Sequence, residues 1–195
     1  MLSVEKTMDW LNRFAEKVSE NKAYLSDLDQ AIGDGDHGAN MARGTSAMKE
    51  VLTTKKFDTV QDVLKAAAMS LLSKIGGASG PLYGSAFIGM AKAAGEDEKN
   101  LAAIIQAGTD GVQKRGKAEP GDKTMVDVWV PLAVAIKNQT LTAELIDSTV
   151  QATTDLQAKK GRASYLGERS VGHVDPGSVS TGYLFHALME AGGLE

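Results

Sequence analysis

The sequence contains no cysteine, which excludes disulfide bonds, thiolate nucleophiles and thiolate metal sites. A bound metal must therefore be held by oxygen ligands or by the three histidines. Aromatic residues make up only 5% of the chain, a composition that favours closely packed helices over a β-sandwich.

Long apolar runs are also missing. No stretch approaches the roughly 20 apolar residues that span a membrane, and the N-terminal residues lack the apolar segment of a signal peptide. The formal net charge of -4 at pH 7 argues against a nucleic-acid-binding surface. We therefore expect a cytoplasmic protein that binds neither nucleic acid nor membrane.

Apolar residues recur with helical spacing over most of the chain, as in Val60, Val63, Leu64, Ala67 and Leu71. No segment shows the sustained period-two alternation of a half-buried strand. The pattern predicts an all-α fold in one domain over residues 1–195. Eight helices are predicted, at about 3–20, 39–52, 59–75, 81–95, 100–114, 124–138, 142–160 and 176–191.

Conspicuous polar residues are confined to the loops between these helices. Residues 27–38 are acidic and rich in glycine, and residues 75–81 read Ile-Gly-Gly-Ala-Ser-Gly-Pro. Residues 115–123 and 161–177 supply further glycines together with basic residues. Polar loops on an apolar scaffold are the usual place for a binding or catalytic site.

Three known motifs match parts of these loops and fail on inspection. Residues 33–38 satisfy G-x-G-x-x-G, but no strand precedes them and two carboxylates lie where a pyrophosphate would approach. Residues 111–118 lack the Ser or Thr of a Walker A motif. An EF-hand beginning at Asp34 would place its required glycine at Ala39 and its terminal glutamate at Thr45.

Asp29, Asp34 and Asp36 remain as a candidate metal site. Asp34 and Asp36 flank Gly35, so a tight turn can direct both carboxylates to one place, and Asp29 can join them if the chain folds back. Magnesium prefers oxygen ligands, usually a few carboxylates together with substrate phosphates. The alternative is a solvated acidic loop whose aspartates cap the next helix.

Two segments are candidates for binding phosphate. A helix is predicted to begin at Gly38-Ala39-Asn40, and the free N–H groups at a helix N-terminus attract phosphate. Residues 76–81 form the second candidate, unless they are only a flexible connection between helices. Phosphates can lie beside the three aspartates only if divalent cations separate the negative charges, which favours a nucleotide bound through magnesium.

Four basic residues in the loops are candidate partners for phosphoryl oxygens. Arg162 is the best of them because it lies between small residues in an otherwise polar loop. The four candidates are Lys117, Lys123, Arg162 and Arg169.

Residues 33–40, 76–84, 115–129 and 161–177 together resemble the DhaL family, the nucleotide-binding subunits of dihydroxyacetone kinases. The stretch Arg-Ala-Ser-Tyr-Leu-Gly-Glu-Arg-Ser is specific, and the resemblance extends over essentially the whole chain. It implies an eight-helix antiparallel barrel with the nucleotide site at one end. It also implies ADP, or ATP when phosphorylated, bridged by two magnesium ions to the three aspartates.

Carried over residue by residue, the resemblance assigns the nucleotide site to several loops. It makes Arg162 the catalytic residue, which would neutralise the transferred phosphoryl group. The assigned nucleotide-binding residues are His37, Gly38, Ala39, Asn40, Ala78, Ser79, Gly116, Met125, Arg162, Asp175, Pro176 and Gly177.

Members of this family work in two ways. In some kinases the module is fused to a dihydroxyacetone-binding domain and ATP is consumed. In others bound ADP is a cofactor, rephosphorylated by a phosphotransferase-system protein with phosphoenolpyruvate as the ultimate donor. We expect the second arrangement, because the chain has no space for a substrate domain and because fused relatives often carry threonine in place of His37.

The expected partners are a dihydroxyacetone-binding kinase subunit and a phosphotransferase-system phosphoryl donor subunit. Two alternatives remain open. In the first, the chain is the nucleotide module of an ATP-dependent dihydroxyacetone kinase. In the second, it is a regulatory nucleotide-binding protein that modulates a transcription factor.

Overall fold

The computed structural model describes residues 2–195, and this part of the chain contains nine α-helices, two 3-10 segments and no β-strand. The all-α prediction is confirmed. The α-helices are α1 (Val4–Glu20), α2 (Lys22–Ile32), α3 (His37–Thr54), α4 (Val60–Lys74), α5 (Ser79–Glu96), α6 (Leu101–Gly116), α7 (Val126–Lys137), α8 (Ala143–Ala152) and α9 (Pro176–Glu190). The 3-10 segments are Thr153–Asp155 and Arg162–Ser170. Across residues 2–195, no helix is both long and apolar enough to cross a membrane.

Eight of these helices form a closed ring. Each helix from α3 to α8 packs against the next one in the chain. Helix α1 closes the ring by packing against both α9 and α3. Connections that reverse the chain direction between neighbours bring the N-termini of α3, α5, α7 and α9 to the same end. Eight helices were predicted and residues 2–195 contain nine α-helices; the additional one is α2, which packs on α3 and α9 outside the ring.

Local capping signals explain where many of the helices begin. Five residues each accept a hydrogen bond from the backbone N–H three positions later, at 2.7 to 3.2 Å. A side-chain cap of this kind contributes about 1 kcal/mol to the stability of its helix. The capping residues are Ser3, Thr59, Asn100, Thr142 and Asp175.

The inside of the ring is filled by large apolar side chains. Trp129 of α7 and Phe185 of α9 are fully buried and meet edge to face, with their ring centroids 5.1 Å apart. Trp10 of α1 is also fully buried, and its indole N–H donates to the carbonyl of Leu184 at 2.8 Å. These contacts fix the positions of α1, α7 and α9 and therefore of the loops at their ends.

Helix α2 was not predicted. The chain from Asp27 onwards has the composition of a loop, yet residues up to Ile32 are helical. Only Leu25 and Ile32 of this helix are buried, so its apolar stripe is too short to stand out in the sequence. Its stability comes from packing on α3 and α9.

The helix predicted at 142–160 is also wrong in its second half. Helix α8 ends at Ala152, and a 3-10 turn and extended chain follow. Lys123 binds this end of the helix, because its Nζ donates to the carbonyls of Thr153 at 2.6 Å and Leu156 at 2.9 Å. A lysine that binds the last carbonyls of a helix satisfies groups that would otherwise be exposed or continue the helix.

Candidate nucleotide and metal site

A cavity of about 440 Å³ lies at the end of the ring where the N-termini of α3, α5, α7 and α9 meet the C-terminus of α6. Helix N-termini carry partial positive charge and free N–H groups, so four of them favour an anion. Most of the predicted site residues line this cavity. They are Asp29, Asp34, Asp36, His37, Asn40, Ala78, Ser79, Gly116, Met125, Arg162, Asp175, Pro176 and Gly177.

Of the residues that the resemblance assigned to the nucleotide site, Gly38 and Ala39 do not line the cavity. A Cβ on Gly38 would collide with the backbone carbonyl of Lys22, so the glycine allows the first turn of α3 to pack tightly on α2. Both residues lie in that first turn, where backbone N–H groups lack partners within the helix. Any contact with a nucleotide would be made by those N–H groups, and this assignment stays a prediction.

The three aspartates come together at one side of the cavity. One carboxylate oxygen of each lies within 4.8 Å of the others. Gly35 has a φ of 77°, which makes the turn that brings Asp34 and Asp36 to the same place, as the spacing predicts. Asp29 comes from the last turns of α2 rather than from a loop.

Asp29 also caps α3. Its Oδ2 accepts hydrogen bonds from the backbone N–H groups of Asp36 at 2.9 Å and His37 at 3.1 Å. Capping, the alternative function considered for these aspartates, therefore occurs in the same structure as the cluster. Because the carboxylates of Asp34 and Asp36 take no part in it, capping alone gives no reason for three carboxylates to converge.

The electrostatics of this cluster suit a cation. Burial raises the pKa of Asp29, and Asp34 and Asp36 raise it further, although the hydrogen bonds from His37 and Asp36 oppose the rise. A divalent cation between the carboxylates would reverse this effect by favouring their charged forms. Three converging carboxylates form a hard oxygen donor set that fits magnesium.

Arg162 joins the cluster from the 3-10 segment on the opposite side. Its Nη2 lies 3.0 Å from Asp34 Oδ2, although the side chain is 72% exposed. Lys117 and Arg169, two of the other basic candidates, do not line the cavity, whereas Arg115 and Lys160 do. Sequence analysis missed Arg115 and Lys160 because neither is distinguished from the other basic residues in these loops.

Lys123 lines the cavity but has a different function from the one predicted. It is 1% exposed, and its ammonium donates to the carbonyls of Thr153, Thr154 and Leu156. All three donors are therefore used inside the protein and none is left for a phosphate. Burial lowers the pKa of Lys123, and nearby Asp175, Asp155 and Asp127 oppose the change.

Replacing Lys123 with methionine should lower the free energy of unfolding by about 3 kcal/mol, because three partly buried carbonyls lose a charged donor. The midpoint of urea unfolding measures the change. Lys160→Met is the matched control, since Lys160 lines the same cavity but is exposed. Equal midpoints for the two variants would show that Lys123 does not stabilise the loops.

His37 is enclosed by hydrogen bonds on both sides of its ring. Nε2 lies 3.0 Å from Ser180 Oγ and Nδ1 lies 3.2 Å from Ser79 Oγ. Burial lowers the pKa of His37 to about 4, against the opposing effects of Asp36 and the Pro176 backbone. The imidazole is therefore neutral near pH 7, with one nitrogen that donates and one that accepts.

Asn40 is held by a residue that sequence analysis missed. Arg43, one helical turn later, donates from Nη2 to Asn40 Oδ1 at 2.7 Å and from Nε to the carbonyl of Lys74 at 2.9 Å. These bonds join α3 to the C-terminus of α4, directly before the glycine-rich loop. The only signal in the sequence is the spacing of three residues between Asn40 and Arg43.

Asp175 begins α9 at the opposite wall of the cavity. Its Oδ2 accepts from the backbone N–H of Ser178 at 2.7 Å and from the Ser178 hydroxyl at 2.8 Å. Burial raises the pKa of Asp175 to about 6, and the two bonds from Ser178 oppose the rise. Asp175 and Pro176 at the first helical position thus fix the N-terminus of α9 against the cavity.

The chain is similar in sequence to known proteins. The model of the DAK2 domain matches residues 31–190. The chain is 54% identical over 184 residues to the Listeria innocua PEP-dependent dihydroxyacetone kinase 1, ADP-binding subunit DhaL, covering 93% of each chain. It is 52% identical over 190 residues to the Lactococcus lactis PTS-dependent dihydroxyacetone kinase, ADP-binding subunit DhaL, covering 97% of this chain and 98% of that one.

Solved structures show the same fold. The crystal structure of the dihydroxyacetone kinase from C. freundii in complex with AMP-PNP and Mg2+ superposes with a TM-score of 0.78 over 95% of this chain. The sequence identity is 21%, and the match covers 33% of that longer chain. At this identity the likeness establishes the fold alone.

Proposed function

We propose, since the chain belongs to the DAK2 domain family, that it serves as the ADP-binding subunit of a phosphoenolpyruvate-dependent dihydroxyacetone kinase. The observation that carries the proposal is the position of the three aspartates. Their carboxylates converge within 4.8 Å at the wall of a cavity that four helix N-termini surround. We treat residues 1–195 as one nucleotide-binding domain that acts in the cytoplasm.

Charge determines what this cavity can hold. The helix N-termini attract phosphates, whereas Asp29, Asp34 and Asp36 repel them. Divalent cations between the carboxylates and the phosphates would remove the repulsion and leave the attraction by the helix N-termini. The three aspartates would hold the metal, two magnesium ions by our proposal, which when bound would neutralise the phosphate oxygens.

The remaining proposed nucleotide residues come from every side of the cavity. Ala78 and Ser79 lie at the N-terminus of α5, and Pro176 and Gly177 lie at that of α9. Both helices direct free backbone N–H groups at the cavity. Gly116 and Met125, together with apolar Leu82 and Val112, form a less polar wall that suits an adenine ring.

Arg162 is the residue that we propose as catalytic. Its guanidinium lies on an exposed segment and binds Asp34, one of the proposed metal ligands. If Asp34 held a metal ion, this ion pair would weaken, and the Arg162 guanidinium would then be available to bind phosphoryl oxygens. In phosphoryl transfer the protein contributes mainly positioning and neutralisation of charge, and an arginine does both.

The overall reaction requires other proteins. Bound ADP would receive a phosphoryl group from a phosphotransferase-system donor subunit, ultimately from phosphoenolpyruvate, and supply it to dihydroxyacetone on a separate kinase subunit. The names of the Listeria and Lactococcus relatives support this arrangement, since both are ADP-binding subunits and the chain covers almost their whole length.

A second candidate is the nucleotide module of an ATP-dependent kinase. The chain is 34% identical over 195 residues to the L-erythrulose 1-kinase of Mycolicibacterium smegmatis, but it covers only 34% of that protein. Its identity to the ADP-binding subunits is higher, which favours the first candidate. The regulatory alternative stays open as well, and the turnover assay described in the Discussion separates it from both kinases.

Thermal unfolding tests whether the nucleotide binds through a metal. A ligand at 100 times its dissociation constant adds about 2.7 kcal/mol to the free energy of unfolding, which for a chain of this size raises Tm by about 5–10 °C. We expect this rise with ADP and magnesium together, and a much smaller one with ADP and a chelator. Equal rises under both conditions would contradict the metal bridge.

A further inference from the structure

A chain of hydrogen-bonded side chains leads from the glycine-rich loop to the inside of the protein. It begins at Ser79 in the cavity wall and continues through both nitrogens of His37 to Ser180. Tyr83, which is fully buried, extends it, because its hydroxyl lies 2.8 Å from Ser180 Oγ and 3.1 Å from Thr181 Oγ1. We name Ser79, His37, Ser180 and Tyr83 the hydroxyl relay.

Each member of the relay has only one proton to donate, so the relay has a direction. Ser180 has three neighbours, His37 Nε2, the Tyr83 hydroxyl and the carbonyl of Gly177, the last at 3.1 Å. The Gly177 carbonyl can only accept. When Ser180 donates to it, the other two contacts of Ser180 are hydrogen bonds only if His37 Nε2–H and the Tyr83 hydroxyl both donate to Ser180. His37 Nδ1 then accepts from the Ser79 hydroxyl, and Thr181 donates to the Tyr83 oxygen.

In this inward direction the Ser79 proton points away from the cavity. Only lone pairs of Ser79 Oγ then face a ligand, and they repel a phosphate oxygen. A phosphate requires the outward direction, in which Tyr83 donates to Ser180, Ser180 to His37 Nε2, and His37 Nδ1–H to Ser79. The Ser79 hydroxyl is then free to donate to the phosphate, and successive bonds of the same direction strengthen one another.

We propose that Tyr83 is a positioning residue for the nucleotide, and that a bound phosphate reverses the hydroxyl relay from the inward to the outward direction. In the reversal the His37 ring loses its Nε2 proton to water and takes up a proton from water at Nδ1, so the number of protons on the protein is unchanged, and the hydroxyls of Ser79 and Ser180 rotate. The proposal rests on the proposed function, because it requires a phosphate beside Ser79. In the outward direction Ser180 Oγ loses the proton of His37 and has only the Tyr83 hydroxyl as its donor. In the inward direction His37 still donates to it. The Tyr83 hydroxyl is therefore needed more in the complex than in the free protein.

Tyr83→Phe keeps the buried ring and removes the hydroxyl. We expect ADP with magnesium to bind this variant about fivefold more weakly, which corresponds to one hydrogen bond. Thr181→Val is the matched control. Thr181 is equally buried and bonds the same hydroxyl, but it lies outside the relay, so this variant should bind ADP like the unaltered protein. Calorimetry measures both affinities.

The His37 tautomer is a second measurement, one that a purely structural contribution of Tyr83 would not alter. In a protein carrying His173→Gln and His186→Gln, His37 is the only histidine. Nitrogen-15 NMR of its ring should find the proton on Nε2 without ligand and on Nδ1 with ADP and magnesium. This experiment does not depend on the folding of Tyr83→Phe.

The outcomes separate the relay from the proposed function. Weaker binding by Tyr83→Phe together with a change of tautomer supports the relay. An unchanged tautomer, or a Tyr83→Phe affinity within twofold of that of Thr181→Val, overturns it, provided that the unaltered chain binds ADP. If the unaltered chain binds no ADP with magnesium, it is the proposed function that fails.

Discussion

Replacing Asp36 with alanine is expected to weaken the binding of ADP and magnesium at least about 100-fold. The loss of a residue that only orients a metal ligand costs about 10–100-fold in metal affinity, and the loss of the ligand itself should cost more. The fold should survive. Asp36 is exposed, and its carboxylate has no hydrogen-bond partner within residues 2–195. Calorimetry of ADP in the presence of magnesium measures the affinity, and the Tm without ligand checks that the variant is folded.

Asp27→Ala is the matched control for this experiment. Asp27 is also exposed, lies on α2 close to Asp29, and is outside the acidic cluster. The two variants change the net charge equally, so long-range electrostatics cannot distinguish them. An Asp36→Ala affinity within about threefold of the control, or roughly 0.7 kcal/mol, would rule out Asp36 as a metal ligand.

The acidic site could be predicted from the sequence because the residues that form it are close together in the chain. Asp34, Gly35 and Asp36 are consecutive, and a glycine between two aspartates predicts the turn that the structure contains. The five capping residues are equally local, since each bonds a backbone N–H three positions away. Patterns that span only a few residues can be interpreted without knowledge of the rest of the fold.

Features that depend on contacts between distant parts of the chain could not be predicted from the sequence. Helix α2 buries only Leu25 and Ile32, and besides the neighbouring α3 it packs on α9, which is far from it in the chain. Lys123 ends the α8 region through carbonyls about 30 positions later, whereas its sequence context indicates only a basic loop residue. The order of helices around the ring is likewise a property of packing, and periodicity cannot supply it.

The hydroxyl relay illustrates the same limit at the site. Ser79 and His37 were predicted separately as nucleotide-binding residues, from different segments of the chain. The structure joins them through Nδ1 and uses the other ring nitrogen to reach Ser180 on α9. His37 on α3 is thus bonded to Ser79 on α5 and to Ser180 on α9, a relation between three helices that no spacing within one segment encodes.

The second large effect concerns turnover. Alone with ATP and dihydroxyacetone, the chain should form no dihydroxyacetone phosphate. A lysine that captures a ketone needs a free amine, yet Lys123, the buried lysine of the cavity, is committed to three carbonyls. Lys160 also lines the cavity but is exposed, whereas a lysine that captures a ketone is activated by desolvation in an apolar pocket. The same assay with both partner subunits supplies the positive control.

When the dihydroxyacetone-binding subunit is added, we expect about one product molecule per nucleotide site, a single turnover. ADP would then remain in the cavity, held through a metal bridge to the three converging aspartates and by the four helix N-termini, and excess ATP would not replace it. Sustained turnover should require the phosphotransferase-system donor and phosphoenolpyruvate, because rephosphorylation in place substitutes for exchange. The deciding measurement is product per site with excess ATP and no phosphoenolpyruvate. Many turnovers would identify an ATP-dependent kinase module, since nucleotide exchange would then be fast, and no product with any combination of partners would favour the regulator.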